Sequence, residues 1–389
     1  MTEKSKNQLK KILISTASVG SGHNSAANAL AKQLSEVAPN IEVKIADAMD
    51  FTSKPFRMWY AGGFNLAMST FPKAYALGYF LTSNPLGPKK IFAENRRSPI
   101  ESIVLKKYGR FVREYQPDLI LHTHFLAPLY IAKLCSEKLL NAKQEIVITD
   151  IIPHRWWTSR HVDKYYVSQQ ASKDELVRWG VDASNIDITG IPIHPKWIAP
   201  QDSREEICKR WSLPADKKIV LLSGGVEFTC GPIVKIAQNI AKQNSDVCVV
   251  VLGGRNKVLI GKLATLPEAK TGQVVPVGYT DRLPELAEVA SLMITKPGGL
   301  TTAECLSKSL PMIFIKPVYG QEGNNAKFIT ENAGGLIAKS AMQTVKLASE
   351  VLQDSKKLEK MSNAAGKLYK PGCQTIIEKI LQKYNIAEN

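Results

Sequence analysis

The amino-acid sequence predicts an α/β protein with two doubly wound, Rossmann-like domains that face each other across a cleft. Short apolar runs of strand length alternate with segments of helical spacing along almost the whole chain, a pattern typical of parallel sheets covered by helices. The chain has 389 residues, 44% of them hydrophobic, which suits about two domains. Residues 191–195 (IPIHP) are too rich in proline for regular structure, so the boundary is placed just after them. The predicted domains are residues 1–197 and 198–389, with the last helix able to return to the first domain.

The predicted elements alternate in both halves. In the first half, strands are expected at residues 12–14, 118–124, 146–150, 162–167 and 186–190, and helices at residues 26–37, 128–140 and 172–180. In the second half, a strand with a glycine loop is expected at residues 218–225, further strands at residues 247–254, 274–279, 292–295 and 311–315, and helices at residues 202–211, 300–306 and 342–384. Parallel strands present their carboxyl ends on one edge of the sheet, so the loops that follow them share a site.

Residues 292–335 carry the first candidate site. A short strand is followed by the loop KPGG at residues 296–299 and by a helix whose N-terminus Thr301 or Thr302 can cap. Glycines let a ligand approach the backbone, and the helix N-terminus favours a phosphate. The polar loop at residues 320–325 (GQEGNN) follows the next strand and therefore lies on the same edge. A phosphate site beside amides and a carboxylate suits a nucleotide joined to a polyhydroxyl group. The alternative is an ordinary α/β turn with a glycine helix start.

A second glycine loop lies near the N-terminus. Residues 20–25 (GSGHNS) follow the first strand and open a helix, and they match neither the dinucleotide-binding nor the P-loop spacing. His23 lies where the helix dipole would lower its pKa and keep the imidazole neutral, able to take a proton. The alternative is a capping or packing histidine. Asp150, at the end of a later strand, could orient a base or an acceptor hydroxyl, or could cap a turn.

An aromatic and basic segment lies between the glycine loop at residues 20–25 and Asp150. Nine of the 29 aromatic residues lie between residues 51 and 80, and between residues 53 and 113 eleven Lys or Arg stand against two Glu. Interfacial membrane segments combine rings at headgroup depth with cations that attract anionic lipid. Pro72 and Lys73 split the apolar stretch, which favours two amphipathic or re-entrant pieces over a spanning helix. The alternative is a helical hairpin packed in its own core with a solvated basic face.

The overall composition limits the classes of molecule that the protein is expected to bind. The net charge is +16, which indicates an anionic partner such as nucleic acid, an anionic membrane or a phosphorylated substrate. Single-stranded nucleic acid is disfavoured because the aromatic and basic runs are sequential rather than interleaved. The six cysteines are scattered without a CxxC pair, as in a reduced cytosolic protein. The basic N-terminus precedes only a short apolar run at residues 12–14, which is a first core strand rather than a signal peptide.

Motifs along nearly the whole chain carry a family resemblance. They are GSGH at residues 20–23, TDIIPHRWW at 149–157, DKYYV at 163–167, TGIPIHP at 189–195, SGG at 223–225, GY at 278–279, KPGGLTTAE at 296–304 and KPVYGQEGNNA at 316–326. In this order they resemble GT-B glycosyltransferases of the monogalactosyldiacylglycerol synthase and processive diacylglycerol glucosyltransferase family, which are relatives of MurG.

The resemblance implies substrates and partners. The donor would be UDP-glucose or UDP-galactose, bound by the C-terminal domain, and the acceptor diacylglycerol, bound by the N-terminal domain. Anionic membrane lipids would hold the protein peripherally on the cytoplasmic side of the membrane, with no nucleic acid as partner. No cofactor and no metal are expected, and the sequence contains no DxD triplet of the kind that holds a metal-bound diphosphate.

The resemblance also implies roles for individual residues. The nucleotide-sugar residues would be Gly298, Gly299 and Thr301 at the diphosphate, Glu304 at the ribose, Gln321 and Glu322 at the hexose, and Gly22, Gly224, Gly225 and Tyr279 around the nucleotide. His23 stands where the family's proposed general base lies, and Asp150 and His154 form a polar motif near the acceptor. The chain departs from the pattern at His194, where arginine is expected, and in having GSGH rather than GGGH.

The chemistry agrees with these roles. An attacking hydroxyl must lose a proton, so a base with a pKa near 7 is useful, and helix N-termini stabilise the charge on leaving UDP. A single displacement inverts the anomeric carbon, so an α-linked donor gives a β-linked product. The sequence therefore predicts an inverting hexosyltransferase that makes membrane glycolipid. The alternatives are a MurG-like enzyme with another lipid or polyprenyl acceptor, and a non-catalytic membrane-binding protein.

Overall fold

The chain folds into two compact units that each contain one sheet. The computed structural model describes residues 9–63, 72–83, 101–159, 161–224, 232–317 and 320–386. The first unit comprises Met1–Pro195, Tyr319–Gln321 and Lys370–Asn389, and the second Lys196–Val318 and Glu322–Tyr369. Both sheets have six strands, all parallel to their neighbours. The predicted α/β class with two doubly wound domains is confirmed.

The first unit is built on the sheet order β2-β1-β3-β4-β5-β6. Its strands are β1 (Lys11–Thr16), β2 (Glu42–Asp47), β3 (Leu119–His122), β4 (Lys143–Val147), β5 (Lys164–Val167) and β6 (Ile186–Ile188). Its first helices are α1 (Ser21–Val37), α2 (Lys54–Arg57), which continues as a π turn over Met58–Gly62, and α3 (Pro72–Ser83). They are followed by α4 (Lys106–Tyr115), α5 (Pro128–Ser136) and α6 (Gln170–Arg178), with a 3₁₀ turn at Arg155–Trp157 between α5 and α6.

The second unit has the sheet order β12-β11-β10-β7-β8-β9. Its strands are β7 (Lys218–Ser223), β8 (Val247–Gly254), β9 (Val274–Gly278), β10 (Ala290–Thr295), β11 (Met312–Ile315) and β12 (Gly335–Ala338). Its helices begin with α7 (Arg204–Trp211), α8 (Ile233–Gln243), α9 (Lys257–Ala264), α10 (Pro267–Lys270) and α11 (Leu283–Val289). They continue with α12 (Gly299–Ser307), α13 (Gln321–Glu331), α14 (Ala341–Gln353) and α15 (Ser355–Leu368).

Each strand order contains one reversal of direction. In the first sheet the chain runs from β1 to β2 on one side and then places β3 on the other side of β1. In the second sheet β7, β8 and β9 run one way, and β10 returns to the other side of β7. At such a reversal the loops after the two neighbouring strands run in opposite directions and leave a crevice between them. Ligands of open α/β sheets bind in this crevice, outside the carboxyl ends of the strands. The fold thus marks the loops after β1 and β3, and those after β7 and β10.

The C-terminal helix α16 (Gly372–Lys383) covers the first sheet together with α1. Its apolar side, which includes Ile376 and Ile380, is buried in one cluster with Leu30 and Leu34 of α1. The chain reaches this helix by a close crossing, because a Cβ on Gly190 would lie 2.5 Å from the carbonyl oxygen of Lys370. Gly190 also has a φ of +97°, a conformation that side chains other than glycine's rarely adopt.

A buried carboxylate fastens α16 to the first sheet. Glu145 of β4 has no solvent-accessible surface and accepts hydrogen bonds from the hydroxyls of Tyr166 at 2.7 Å and Tyr384 at 3.0 Å. The ammonium group of Lys383 lies 2.6 Å from the same carboxylate. Because a charge buried this deeply is tolerated only with partners, these three groups hold Glu145 in the core of the first unit, although Lys383 itself is partly exposed.

Several predicted elements differ from those observed. The strand predicted at residues 146–150 is β4 at Lys143–Val147, so Asp150 lies in the loop beyond it. The helical stretch at residues 342–384 is three helices, interrupted at Asp354 and at residues 369–371. Two strands were missed: β2, which is largely exposed at a sheet edge, and β12, which begins at a glycine; neither has a continuous buried apolar run.

The aromatic segment contains helical pieces on both sides of its proline. Residues 54–62 and α3 are helical, and residues 64–71 and 84–100 lie outside the described part of the chain. The basic residues Lys89, Lys90, Arg96 and Arg97 belong to that undescribed part. Within the ranges that the structure describes, every helix is too short or too polar to cross a membrane.

Candidate active site

His23 lies at the reversal point of the first sheet, in the first turn of α1. Its Nδ1 is 2.9 Å from the carbonyl oxygen of Thr123, which follows β3, and 2.9 Å from the hydroxyl oxygen of Thr149. A carbonyl can only accept, so Nδ1 carries the hydrogen and the neutral ring has its lone pair on Nε2. The side chain is only partly buried. The fold therefore presents a neutral imidazole with a basic nitrogen.

The protonation state of His23 follows from its surroundings. Burial lowers the pKa of His23 to about 4, although the hydrogen bond to Thr123 acts in the opposite direction. The N-terminus of α1, which carries a partial positive charge, also disfavours a second proton. The ring is consequently neutral at pH 7, and its pKa of about 4 lies below the value near 7 that suits a general base. Its assignment as the catalytic base stays a prediction.

Asp150 is held by donors from two distant parts of the first unit. Its side chain is buried and accepts a hydrogen bond from the indole N–H of Trp157 at 3.0 Å, and the amide of Gln321 donates to its other oxygen. Burial raises the pKa of Asp150 to about 6, and both hydrogen bonds oppose that rise. Gln321 was predicted to bind the hexose, and in this structure its amide is engaged with Asp150.

Two aromatic rings beside His23 were missed in the sequence. His124 packs edge-on against His23 with ring centroids 4.5 Å apart, and Trp157 lies at 6.1 Å. The backbone N–H of Leu126 donates to Nδ1 of His124 at 3.0 Å, so the proton of that neutral ring is on Nε2. Trp157 contacts the ring of His23 and binds Asp150, and it thereby links the two predicted catalytic residues.

Both ring nitrogens of His154 make hydrogen bonds within the first unit. Its Nδ1 accepts the backbone N–H of Trp156 at 3.1 Å, and its Nε2 is 3.1 Å from the hydroxyl of Thr82 in α3. No lone pair remains on the neutral ring. Gly22, predicted to contribute to the nucleotide pocket, lies with His23 in the first turn of α1.

The second predicted site lies at the reversal point of the second sheet. Gly298 precedes α12 and supplies no side-chain cap, so the first N–H groups of this nine-residue helix have no partner from a capping side chain. A Cβ built on Gly298 would have no atom within 4 Å, which leaves the backbone open to a ligand. Gly299 is buried and Thr301 half-buried in the first turn of the helix. This arrangement suits a diphosphate.

Two contacts hold the glycine loop against α13. The side-chain amide of Asn325 donates to the carbonyl oxygen of Pro297 at 3.0 Å, and the ammonium group of Lys296 lies 3.6 Å from the carboxylate of Glu322. Sequence reasoning had assigned Glu322 to the hexose but had given Lys296 and Asn325 no role. The structure places Glu322 beside the loop that carries Gly298.

Glu304 occupies the second turn of α12, where its carboxyl group has partners from the chain just after residue 195. Burial raises the pKa of Glu304 to about 8, against opposing effects of the Lys196 charge and of a hydrogen bond with Trp197. Its side chain is half-buried. A half-buried carboxyl group that is fixed by an indole N–H can hydrogen-bond a hydroxyl pair, and the role of Glu304 at the ribose stays a prediction.

The remaining predicted residues border the same sheet edge. Gly224 follows β7 and is buried, whereas Gly225 lies outside the described residues. Tyr279 follows β9, is 70% exposed, and has the guanidinium of Arg255 stacked 5.0 Å from its ring centroid. Among the residues that the structure describes, no group of three or more His, Cys, Asp or Glu could hold a metal ion.

Comparison with solved structures identifies the fold. It resembles the UDP complex of Staphylococcus aureus MnaA, with a TM-score of 0.65, 15% identity and coverage of 97% of this chain and 98% of the other. It also resembles Acinetobacter baumannii MurG, with a TM-score of 0.60, 15% identity and coverage of 96% and 99%. These likenesses establish the GT-B fold that the sequence predicted.

Family models and sequence relatives then identify the family. Residues 23–193 match the monogalactosyldiacylglycerol synthase model, and residues 227–380 match the C-terminal domain of glycosyltransferase family 28. A processive diacylglycerol β-glucosyltransferase of Staphylococcus epidermidis is 30% identical, with 92% of this chain and 88% of the relative covered. The Bacillus subtilis protein of the same name is 29% identical, with coverage of 97% and 96%. The chain belongs to this family of diacylglycerol glycosyltransferases.

Proposed function

We propose that the protein transfers glucose from UDP-glucose to the hydroxyl of diacylglycerol with inversion at the anomeric carbon. The observation that carries this proposal is the neutral His23, whose Nδ1–H is bound by the Thr123 carbonyl and whose Nε2 can take a proton. The family supports the substrate class. The names of the Staphylococcus and Bacillus relatives favour glucose over the galactose of the synthase model.

The donor half of the reaction is assigned to the second unit. The uncapped N-terminus of α12 binds the diphosphate, and as the bond between C1 and the phosphate oxygen breaks, its N–H groups stabilise the charge that UDP gains. Glu304 hydrogen-bonds the ribose hydroxyls. Glu322, placed by Lys296, receives the hexose hydroxyls. The N–H groups of α12 thus stabilise the leaving group in a mechanism that uses no metal ion.

The acceptor half is assigned to the first unit. The hydroxyl oxygen of diacylglycerol forms the new bond to C1 while its proton passes to Nε2 of His23. The imidazolium that results is stabilised by ionised Asp150, which Trp157 holds in place. Because the base bears no charge before the reaction, the acceptor can enter without displacing a counter-ion.

Peripheral binding to the cytoplasmic side of an anionic membrane is also proposed. The side chains of Leu77, Phe80 and Leu81 on α3 are exposed, as are Met58 and Trp59 in the preceding helical piece. Exposed apolar and aromatic side chains in a basic segment suit the lipid interface. Five cysteines in the described part of the chain are free thiols, which agrees with a reducing compartment.

One vesicle experiment tests these proposals. Purified protein is incubated with diacylglycerol vesicles and either UDP-glucose or UDP-galactose, and the glycolipid is quantified. We expect transfer from UDP-glucose to be the faster by at least about tenfold, the scale of 1.4 kcal/mol in discrimination. Preference for UDP-galactose would overturn the choice of sugar, and UDP binding without transfer to diacylglycerol would overturn the function.

Sedimentation of the same vesicles tests the membrane surface. Changing both Leu77 and Phe80 to Ser should lower the vesicle partition coefficient at least about tenfold, because each apolar side chain contributes on the order of 1.5–3 kcal/mol when buried. The control changes Val258 and Met342 to Ser, two exposed apolar residues of the second unit. Equal losses in both double variants would contradict the assignment of α3 to the lipid.

A further inference from the structure

We propose that His154 is a positioning residue that fastens the lipid-facing helix α3 to the turn carrying Trp157, rather than a group that accepts a proton. This inference rests on the proposed function, because it assigns α3 to the acceptor lipid. It concerns one pair of side chains, His154 and Thr82, which lie 72 residues apart in the chain.

The hydrogen bonds determine which nitrogen of His154 carries the proton and which group of the pair donates. The backbone N–H of Trp156 donates to Nδ1 of His154, so this nitrogen carries no hydrogen and the ring is neutral. Nε2 then carries the only ring proton and donates to the hydroxyl oxygen of Thr82 at 3.1 Å. The hydroxyl hydrogen of Thr82 is directed to the carbonyl oxygen of Gly78 at 2.7 Å. Every donor in this series of hydrogen bonds therefore has an acceptor.

Ring contacts add to the hydrogen bonds. The ring of Tyr79 in α3 lies 4.5 Å from that of His154, and the ring of Trp156 lies 4.9 Å from it on the side of the 3₁₀ turn. His154 is 6% exposed. The imidazole is thus packed between the helix and the turn, and its removal would leave a gap at their contact.

The two sides of α3 have different surroundings. At 100° per residue, Tyr79 and Thr82 fall on one side of the helix, and Leu77, Phe80 and Leu81 on the opposite side. The first side contacts His154, while Leu77, Phe80 and Leu81 are 59%, 51% and 45% exposed. The contact with His154 therefore fixes which side of the helix faces outward.

The turn that receives α3 also contacts the polar groups of the candidate active site. His154 caps the turn Arg155–Trp157, and the indole of Trp157 binds Asp150 and lies beside His23. A displacement of α3 would consequently change where bound lipid meets these groups, while leaving the donor residues of the second unit in place. The pair sets the placement of the acceptor and takes no part in proton transfer.

The test compares Thr82→Val, which keeps the shape and removes the hydroxyl, with Thr82→Ser, which keeps the hydroxyl. We expect Thr82→Val to raise the apparent KM for diacylglycerol in vesicles about fivefold, the factor that corresponds to one neutral hydrogen bond, with kcat and the KM for UDP-glucose changed less than twofold. Thr82→Ser should resemble the wild type. An unchanged diacylglycerol KM in Thr82→Val would overturn the proposal.

The variant His154→Gln separates positioning from catalysis. For a positioning residue, its effect on the diacylglycerol KM and that of Thr82→Val are not additive in the double variant, since both remove one interaction. A loss of kcat of a hundredfold or more in His154→Gln, with the diacylglycerol KM unchanged, would instead identify a proton acceptor.

Hydrogen exchange tests the pair independently of activity. Amides of α3 should exchange faster in Thr82→Val than in Thr82→Ser without lipid or donor present, because the helix loses an anchor. Identical exchange in the two variants would overturn the proposal. If the wild type transfers no sugar to diacylglycerol but the exchange difference is found, the proposed function fails and the structural role of the pair remains.

Discussion

Replacing His23 with alanine is expected to lower kcat for glucosyl transfer by about 10²- to 10⁴-fold, the usual contribution of a positioned general base. UDP-glucose affinity should change little, because helix α12, Glu304 and Glu322, which the proposed function assigns to the donor, lie in the second unit. The physical reason is that Nε2 of His23 is the basic atom that the Thr123 carbonyl leaves available. Initial rates at saturating substrates and equilibrium binding of UDP measure the two effects.

A matched control and a pH profile sharpen this prediction. His161→Ala removes an exposed imidazole from the same unit and should leave kcat within about twofold of wild type, because only its backbone carbonyl makes a described contact. The active form requires neutral His23, with a pKa near 4, and ionised Asp150, with a pKa near 6. The wild-type kcat/KM should therefore rise with pH, reach half of its maximum near pH 6 and level off above about pH 7. Full activity in His23→Ala would place the base elsewhere.

Replacing Glu145 with alanine is expected to destabilise the first unit by about 3–6 kcal/mol, because two tyrosine hydroxyls lose hydrogen bonds to a buried carboxylate that are worth about 1.5–3 kcal/mol each. The change leaves the hydroxyls of Tyr166 and Tyr384 and the ammonium group of Lys383 without their shared acceptor. Because two of these three groups belong to the C-terminal segment, α16 should be the element most affected. Urea unfolding followed by far-UV circular dichroism measures the free energy of unfolding.

The control for Glu145 is a carboxylate in a surface pair. Glu36 lies 3.0 Å from Lys32 in α1, and both side chains are about half exposed, so Glu36→Ala should cost no more than about 0.5 kcal/mol. Glu145→Gln, which keeps an acceptor oxygen, should fall between the two. If Glu145→Ala unfolds at the same urea concentration as Glu36→Ala, the carboxylate does not fasten α16.

Most of the fold could be predicted from sequence because its strands are buried on both faces. The run VCVVVLGG at Val247–Gly254 is a strand with the predicted bounds, since a central parallel strand needs continuous apolar residues. The edge strand Glu42–Asp47 alternates charged and apolar residues and is largely exposed, so it lacks that signal. The family and the GT-B fold followed from motifs in order, and the comparisons confirm both.

The properties of a site residue could be predicted from sequence where they depend only on its position within one helix or strand. His23 in the first turn of a helix after a glycine loop is such a case. The tautomer of His23 depends on Thr123, which sheet order brings close, and the role of Lys296 depends on Glu322 across a βαβ unit. The family resemblance assigned Gln321 to the hexose, whereas its described contact is with Asp150, 171 residues away. Contacts of this range follow from tertiary packing, which a single sequence does not encode locally.

The proposed reaction is a single displacement at the anomeric carbon, with neutral His23 as the base. The most direct measurement is the anomeric configuration of the first glycolipid formed from UDP-α-glucose and diacylglycerol, read from the coupling of its anomeric proton by NMR. One in-line attack inverts that carbon, so the product should be the β-glucoside. An α-glucoside would contradict the account, because retention of configuration cannot result from one displacement assisted by a base.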